Sequence, residues 1–175
     1  MKYYWDLVIR YGLAIIIGIF FNVFYWLFTP WTVNLVYWIL KGVYNVTLQG
    51  TTIMHTSRAS FTLIPACVAA SAYLFLSILI LITRDIDIKD RMKMLVYGWL
   101  MILVFNILRI FVLILVYLNY GKNYFDALHL TFWYVLSTIA VVGIWIFLIH
   151  VFKVRGVPVY SDIRYVIEKL KKEHQ

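Results

Sequence analysis

The stretch MLVYGWLMILVFNILRIFVLILVYLN, residues 94–119, decides the class of fold. Its side chains are almost all apolar, and Arg109 is its one charged residue. A helix needs about 20 apolar residues to cross the hydrocarbon core of a bilayer. The stretches 7–28, 61–83 and 130–152 have a similar length and character. The pattern therefore predicts a membrane protein with four transmembrane helices.

Composition excludes the soluble classes of protein. The chain of 175 residues is 64% hydrophobic and 14% charged, with a mean hydropathy of +0.86. Soluble domains average about 25% charged and about 45–50% apolar residues, so this chain has more apolar residues than one water-soluble core can bury. The aromatic share of 19% suits a chain with many membrane–water crossings. A soluble globular domain, a disordered chain and a nucleic-acid-binding module are all excluded.

The cysteine and histidine content argues against a metal site. The chain has one cysteine, Cys67, so it cannot form an intramolecular disulfide. Neither a Cys-x-x-Cys pair nor a Cys/His cluster is present in the sequence. We expect neither a metal nor another cofactor.

The stretch 31–48 leaves three alternatives open. Its Asn34, Lys41 and Asn45 stand among several aromatic residues. It could lie along the interface, enter the bilayer as a re-entrant hairpin, or span it. We favour an aromatic-rich external helix. The predicted fold is then an all-α polytopic domain over residues 1–152, followed by a basic amphipathic tail over 153–175.

The positions of the basic residues predict the orientation. The loop 83–93 and the tail 153–175 hold four and six, respectively, of the 16 Lys and Arg residues. Cytoplasmic segments next to membrane helices are enriched in these residues. Both termini are therefore expected in the cytoplasm, with the tail as an amphipathic helix against the lipid surface. The connections 29–60 and 120–129 are expected outside the cell membrane.

Arg109 and Asn106 are costly residues for a transmembrane helix. An arginine near the bilayer centre costs at least about 2.5–3.5 kcal/mol. The predicted spans contain no acidic residue deep enough to pair with Arg109, which favours a functional role over a structural one. Asn106 lies three residues earlier on the same helix face. It could hold the guanidinium or form a hydrogen bond to a neighbouring helix.

Cys67 and His129 fall in the same half of the bilayer as Arg109. Cys67 is expected about 9 Å into a helix that enters from outside, and His129 at the external end of the last span. The thiolate is the nucleophile, and apolar surroundings disfavour its charge. A thiol in hydrocarbon is therefore unreactive. A histidine that accepts its proton and an arginine that stabilises negative charge would reverse that. The set meets the requirements of a cysteine nucleophile for acyl transfer.

These residues also form the motifs of a known family. The chain resembles the archaeosortase/exosortase family, intramembrane cysteine transpeptidases, over about residues 61–152. The resemblance rests on Pro65-Ala66-Cys67, on Asn-x-x-Arg-Ile at 106–110, and on His129. The family's cysteine is usually followed by a serine five residues later, whereas here Ser71 follows by four. Trp133 stands where the family often has a glycine after the histidine.

The resemblance implies a mechanism and partners. Cys67, Arg109 and His129 would be catalytic, with Asn106 and Ser71 in support. Cys67 would cleave the C-terminal transmembrane sorting signal of an exported protein and form a thioester. A lipid or similar amine would then accept the new C-terminus, which anchors the protein at the cell surface. Membrane lipids and exported proteins would be the partners, and the plasma membrane the location.

Two other functions fit the same sequence. The chain could be a small transporter or channel subunit in which Arg109 binds an anion, or a structural scaffold in which Arg109 is merely packed. Neither alternative needs the thiol of Cys67. Replacing Cys67 by alanine or serine therefore separates the enzyme from both.

Overall fold

The computed structural model describes residues 2–55, 60–84 and 86–154. Most of these residues are helical, and a short sheet interrupts the helices. In chain order the elements are α1 (Lys2–Ile19), α2 (Asn22–Lys41), β1 (Val46–Gln49), β2 (Thr52–His55), β3 (Ser60–Thr62), a 3-10 turn (Pro65–Val68), α3 (Ala70–Ile82), α4 (Ile88–Tyr120), α5 (Lys122–Thr131), a π turn (Phe132–Leu136) and α6 (Ser137–Val151). The predicted amphipathic helix of the tail lies outside the described residues.

Three helical segments are long and apolar enough to cross a membrane. They are α2, α4 and the run from α5 through α6, Lys122–Val151, while α3 is a shorter apolar helix. Large apolar side chains stand exposed on the outside of the bundle. Ile19, Trp26 and Val104, for example, are 74%, 82% and 66% exposed. Such a surface is compatible with lipid and unfavourable in water.

The N-terminal third differs from the predicted spans. The predicted span 7–28 is broken because α1 ends at Ile19 and α2 begins at Asn22. Helix α2 then continues through Pro30, so 31–48 is not a separate external helix. Proline removes a helical N–H donor, and two polar side chains near it form hydrogen bonds within the helix. Thr29 donates to the Tyr25 carbonyl at 2.6 Å, and Asn34 donates to the Pro30 carbonyl at 2.8 Å.

The all-α prediction also missed a sheet. Strands β1, β2 and β3 form an antiparallel sheet in that order, with Gln49 opposite Thr52 and Thr52 opposite Thr62. Gly50 occupies the first position of the two-residue β1–β2 turn with φ of 60°, a conformation that glycine adopts without steric cost. The pattern Gln-Gly-Thr-Thr was the hairpin signal in the sequence.

The helices pack around α3 and α4. Helices α1, α2 and α6 contact α3, while α2, α5 and α6 contact α4. Tyr73 lies at the centre, with its ring stacked on Phe28 at 3.7 Å between centroids. Trp99 meets the Phe28 ring edge-on and donates to the Ser77 hydroxyl at 2.9 Å. Aromatic packing thus ties α2, α3 and α4 together.

Two buried arginines close the C-terminal end of α3. The last carbonyls of a helix lack partners within it and attract cations. Arg10 donates to the Ile82 carbonyl at 2.9 Å and pairs with Asp6. Arg91 donates to the carbonyls of Ile80, Leu81, Thr83 and Ile86. The opposite end of α3 begins beside Cys67.

Gly98 allows α4 to approach its neighbours closely. A Cβ at this position would lie 2.5 Å from Leu76 Cδ2 and 3.2 Å from Leu148 Cδ1. Both Gly98→Ala and Gly143→Ala gain helix propensity, but only Gly98→Ala overpacks its neighbours. We therefore expect the free energy of unfolding of Gly98→Ala to be about 1–3 kcal/mol lower than that of Gly143→Ala. A Cβ at Gly143 would meet nothing within 4 Å. Thermal unfolding in detergent measures both, and equal stabilisation of the two variants would contradict close packing at Gly98.

Candidate active site

Cys67 lies in the 3-10 turn before α3, and not inside a helix as predicted. Its N–H donates to the Ile64 carbonyl at 2.8 Å, and Pro65 begins the turn. Ala69 follows with φ of 60° and ψ of 34°, the left-handed conformation. Alanine rarely adopts this region. The left-handed residue separates the turn from α3, which starts only at Ala70.

The backbone of Cys67 is held from α4. Asn106 Nδ2 donates to the Cys67 carbonyl at 2.8 Å, and Arg109 Nη2 approaches the same oxygen at 3.5 Å. Asn106 is 2% exposed, and its Oδ1 has no hydrogen-bond partner among the described residues. Of the two roles considered for Asn106, the structure shows the hydrogen bond to a neighbouring element. This bond holds the backbone of Cys67, to which the thiol side chain is attached, against α4.

Arg109 is buried with only neutral partners. Its side chain is 6% exposed. Nη1 donates to Ser137 Oγ at 3.3 Å, Nη2 reaches the Cys67 carbonyl, and Nε has no partner among the described residues. Within that part of the chain no carboxylate forms an ion pair with it. A buried charge without an opposite charge is unfavourable by several kcal/mol, so this guanidinium is suited to an anion.

His129 lies on α5, half-buried among aromatic rings. Its ring meets Phe125 edge-on at 5.3 Å between centroids and Trp133 at 6.3 Å. Phe125 in turn contacts Tyr117 of α4, which contacts Phe61 of β3. No hydrogen bond joins the imidazole to another described residue, so neither ring nitrogen has a partner within that part of the chain.

One cavity brings the three predicted catalytic residues together. It has a volume of about 260 Å³, and Cys67, Arg109 and His129 all line it. Its remaining walls come from β3, α4 and α5 and are mostly apolar. The cavity is large enough to admit part of a peptide next to the thiol.

Ser71 lies elsewhere. It lines a second cavity of about 500 Å³ between α3 and α6, together with Trp133, Ser137 and Thr138. Arg109 also borders this second cavity, so its guanidinium stands between the two. The structure thus separates Ser71 from the cavity that contains Cys67.

Sequence reasoning missed Ser137. Its hydroxyl contacts Arg109 from α6, 28 residues further along the chain. A lone serine in an apolar helix usually bonds its own backbone, so its sequence context gives no functional signal. The π turn that precedes it is equally invisible in the hydropathy pattern. Among the described residues, no group of three or more His, Cys, Asp or Glu residues could hold a metal ion.

Comparison of the chain with known protein families, with curated proteins and with solved structures finds no match.

Proposed function

We propose that the protein is an intramembrane cysteine peptidase and transpeptidase. One observation carries the proposal: Cys67, Arg109 and His129 come from three separate elements and line the same cavity. Nucleophile, base and anion-stabilising group are the parts that acyl transfer requires. The resemblance to the archaeosortase/exosortase family supports the same assignment.

The first half of the reaction forms an acyl-enzyme. His129 takes the proton of the Cys67 thiol, and the sulfur attacks the carbonyl carbon of a peptide bond. Arg109 stabilises the oxyanion of the tetrahedral intermediate, where one fixed donor supplies about 2.7–4 kcal/mol. His129 returns the proton to the leaving amine as the carbon–nitrogen bond breaks. A thioester and a free C-terminal fragment result.

The second half transfers the acyl group. An amine, such as that of a lipid headgroup, attacks the thioester while His129 removes its proton. The sulfur leaves and regains a proton, and the exported protein becomes anchored through a new amide. The proposed substrates are exported proteins with a C-terminal transmembrane sorting signal, and water is the competing acceptor.

The proposed orientation places the cavity on the external side of the plasma membrane. The arginines at the C-terminal end of α3 lie beside the basic loop 83–93, which the positive-inside rule assigns to the cytoplasm. Cys67 stands before the other end of α3. The four proposed spans are then α2, α3, α4 and the run from α5 through α6, with both termini in the cytoplasm.

Hydroxylamine capture tests the covalent step. It attacks a thioester to give a hydroxamic acid and a free thiol. Membranes from cells that make the protein, supplied with hydroxylamine, are expected to release proteins with C-terminal hydroxamates detected by mass spectrometry. Membranes containing Cys67→Ala are the control and should release none. Equal yields from both would contradict a thioester on Cys67.

A second candidate, an anion-transporting subunit, is favoured by the position of Arg109 between two cavities. This function would keep its flux in Cys67→Ala and lose it in Arg109→Met. Anion flux into liposomes containing the purified protein distinguishes it from the peptidase. The peptidase requires Cys67, and an anion pathway does not.

A further inference from the structure

The helix that carries His129 changes its winding before Ser137. The π turn Phe132–Leu136 interrupts an otherwise continuous helix from Lys122 to Val151. An α-helix rotates about 100° per residue, so residues 129 and 137 would lie about 80° apart around the axis. A π turn accommodates one extra residue, which reduces this angle to about 20°. The π turn thus places His129 and Ser137 on one face, towards Arg109.

The hydrogen bonds of Ser137 set the direction of its hydroxyl. The Ser137 N–H donates to the Phe132 carbonyl across the π turn. Its Oγ–H donates to the same carbonyl at 2.7 Å. A serine hydroxyl has one proton and two acceptor lone pairs. Because the proton is used, Oγ presents only lone pairs to Arg109.

Arg109 depends on this acceptor. Its two described hydrogen bonds are to Ser137 Oγ at 3.3 Å and to the Cys67 carbonyl at 3.5 Å. Both are long for hydrogen bonds of a charged group. Without Ser137, only the longer one would remain to orient the guanidinium beside the thiol.

We propose that Ser137 is a positioning residue for Arg109, and that the π turn brings its hydroxyl into place. This inference rests on the proposed peptidase function, because it assigns Ser137 to the group that stabilises charge at Cys67. Ser137 acts through the guanidinium and takes no part in bond making.

Alkylation of Cys67 by iodoacetamide gives a readout that needs no substrate. The chain has one cysteine, so every label on the purified full-length protein reports that thiol. A well-oriented guanidinium favours the thiolate, the form that reacts. We expect Ser137→Ala to slow labelling at pH 8 about threefold, an effect in the lower part of the range for one hydrogen bond, because the contact is long. Ser137→Thr keeps a hydroxyl and is expected to restore most of the rate.

A double-mutant cycle separates positioning from general loosening. Arg109→Met alone should slow labelling at least as much as Ser137→Ala, and adding Ser137→Ala to it should have no further effect. Thr131→Ala is the matched control, since the Thr131 hydroxyl bonds the Ala127 carbonyl of its own helix. In the Thr131→Ala variant, Cys67 should be alkylated at the same rate as in the unmodified protein. Equal labelling of Ser137→Ala and the unmodified protein, or additive effects in the double variant, would overturn the inference.

The cycle also distinguishes this inference from the proposed function. If Cys67→Ala still processed exported proteins, the peptidase would be wrong while the labelling cycle still measured the coupling of Ser137 to Arg109. If Cys67→Ala abolished processing but Ser137→Ala labelled normally, only the positioning role would be wrong.

Discussion

Replacing Cys67 by alanine is expected to abolish processing of exported proteins without unfolding the chain. Removal of a catalytic nucleophile costs on the order of 10⁴–10⁶ in kcat. The fold should survive because Asn106 bonds the backbone carbonyl of Cys67, and not its side chain. Mass spectrometry of the C-termini of exported proteins measures processing, and thermal unfolding in detergent measures stability.

Cys67→Ser sharpens this test. The serine hydroxyl occupies nearly the same place but is far less acidic than a thiol, so the histidine cannot readily generate its anion. We expect processing close to that of Cys67→Ala and a melting temperature close to that of the unmodified protein. Full processing by Cys67→Ser would rule out the transpeptidase.

Replacing Arg109 is expected to lower activity while the stability stays level or rises. Loss of one oxyanion donor costs about 10²–10³ in kcat. Arg109→Lys keeps the charge but lacks the planar fork that reaches Ser137 and the Cys67 carbonyl together, so it should also be impaired. Arg109→Met removes a buried charge that has no ionic partner among the described residues, and with it a desolvation penalty of several kcal/mol that no ion pair offsets.

Arg91→Met is the matched control on the same helix. Arg91 is also buried, at 8% exposure, but it donates to several carbonyls at the end of α3. Its loss leaves those oxygens without donors, and we expect a destabilisation of about 2–5 kcal/mol. Unfolding measurements on Arg91→Met and Arg109→Met compare the contributions of the two arginines to stability. If Arg109→Met destabilised the protein as much as Arg91→Met, Arg109 would be a structural residue.

The sequence predicted the long C-terminal helices well because their apolar runs have no competing signal. The helical character of 94–119 and 130–152 is confirmed, with α4 extending beyond its predicted bounds. Residues 61–69 were predicted as helix because hydropathy alone does not separate a strand and a turn from a helix. Helix α2 continues through Pro30, so hydropathy alone did not locate its end.

The sequence could predict which residues belong to the candidate site, but it could not predict their geometry. Arg109 and Asn106 stand out because polar residues are expensive in an apolar helix. The turn that presents Cys67, the π turn and the Ser137 contact all depend on backbone hydrogen bonds that leave no pattern in residue type. The family resemblance placed Ser71 in support of Cys67, whereas in the structure the two residues line different cavities.

The left-handed backbone of Ala69 has a consequence for how mutations at this position should be interpreted. A β-branched residue is a conformational outlier at positive φ, while glycine is accommodated freely. Residue 69 will therefore tolerate very few replacements although its methyl group performs no chemistry. A map of substitution tolerance would rank it beside the nucleophile, and intolerance there would report the shape of the main chain rather than a fourth catalytic group.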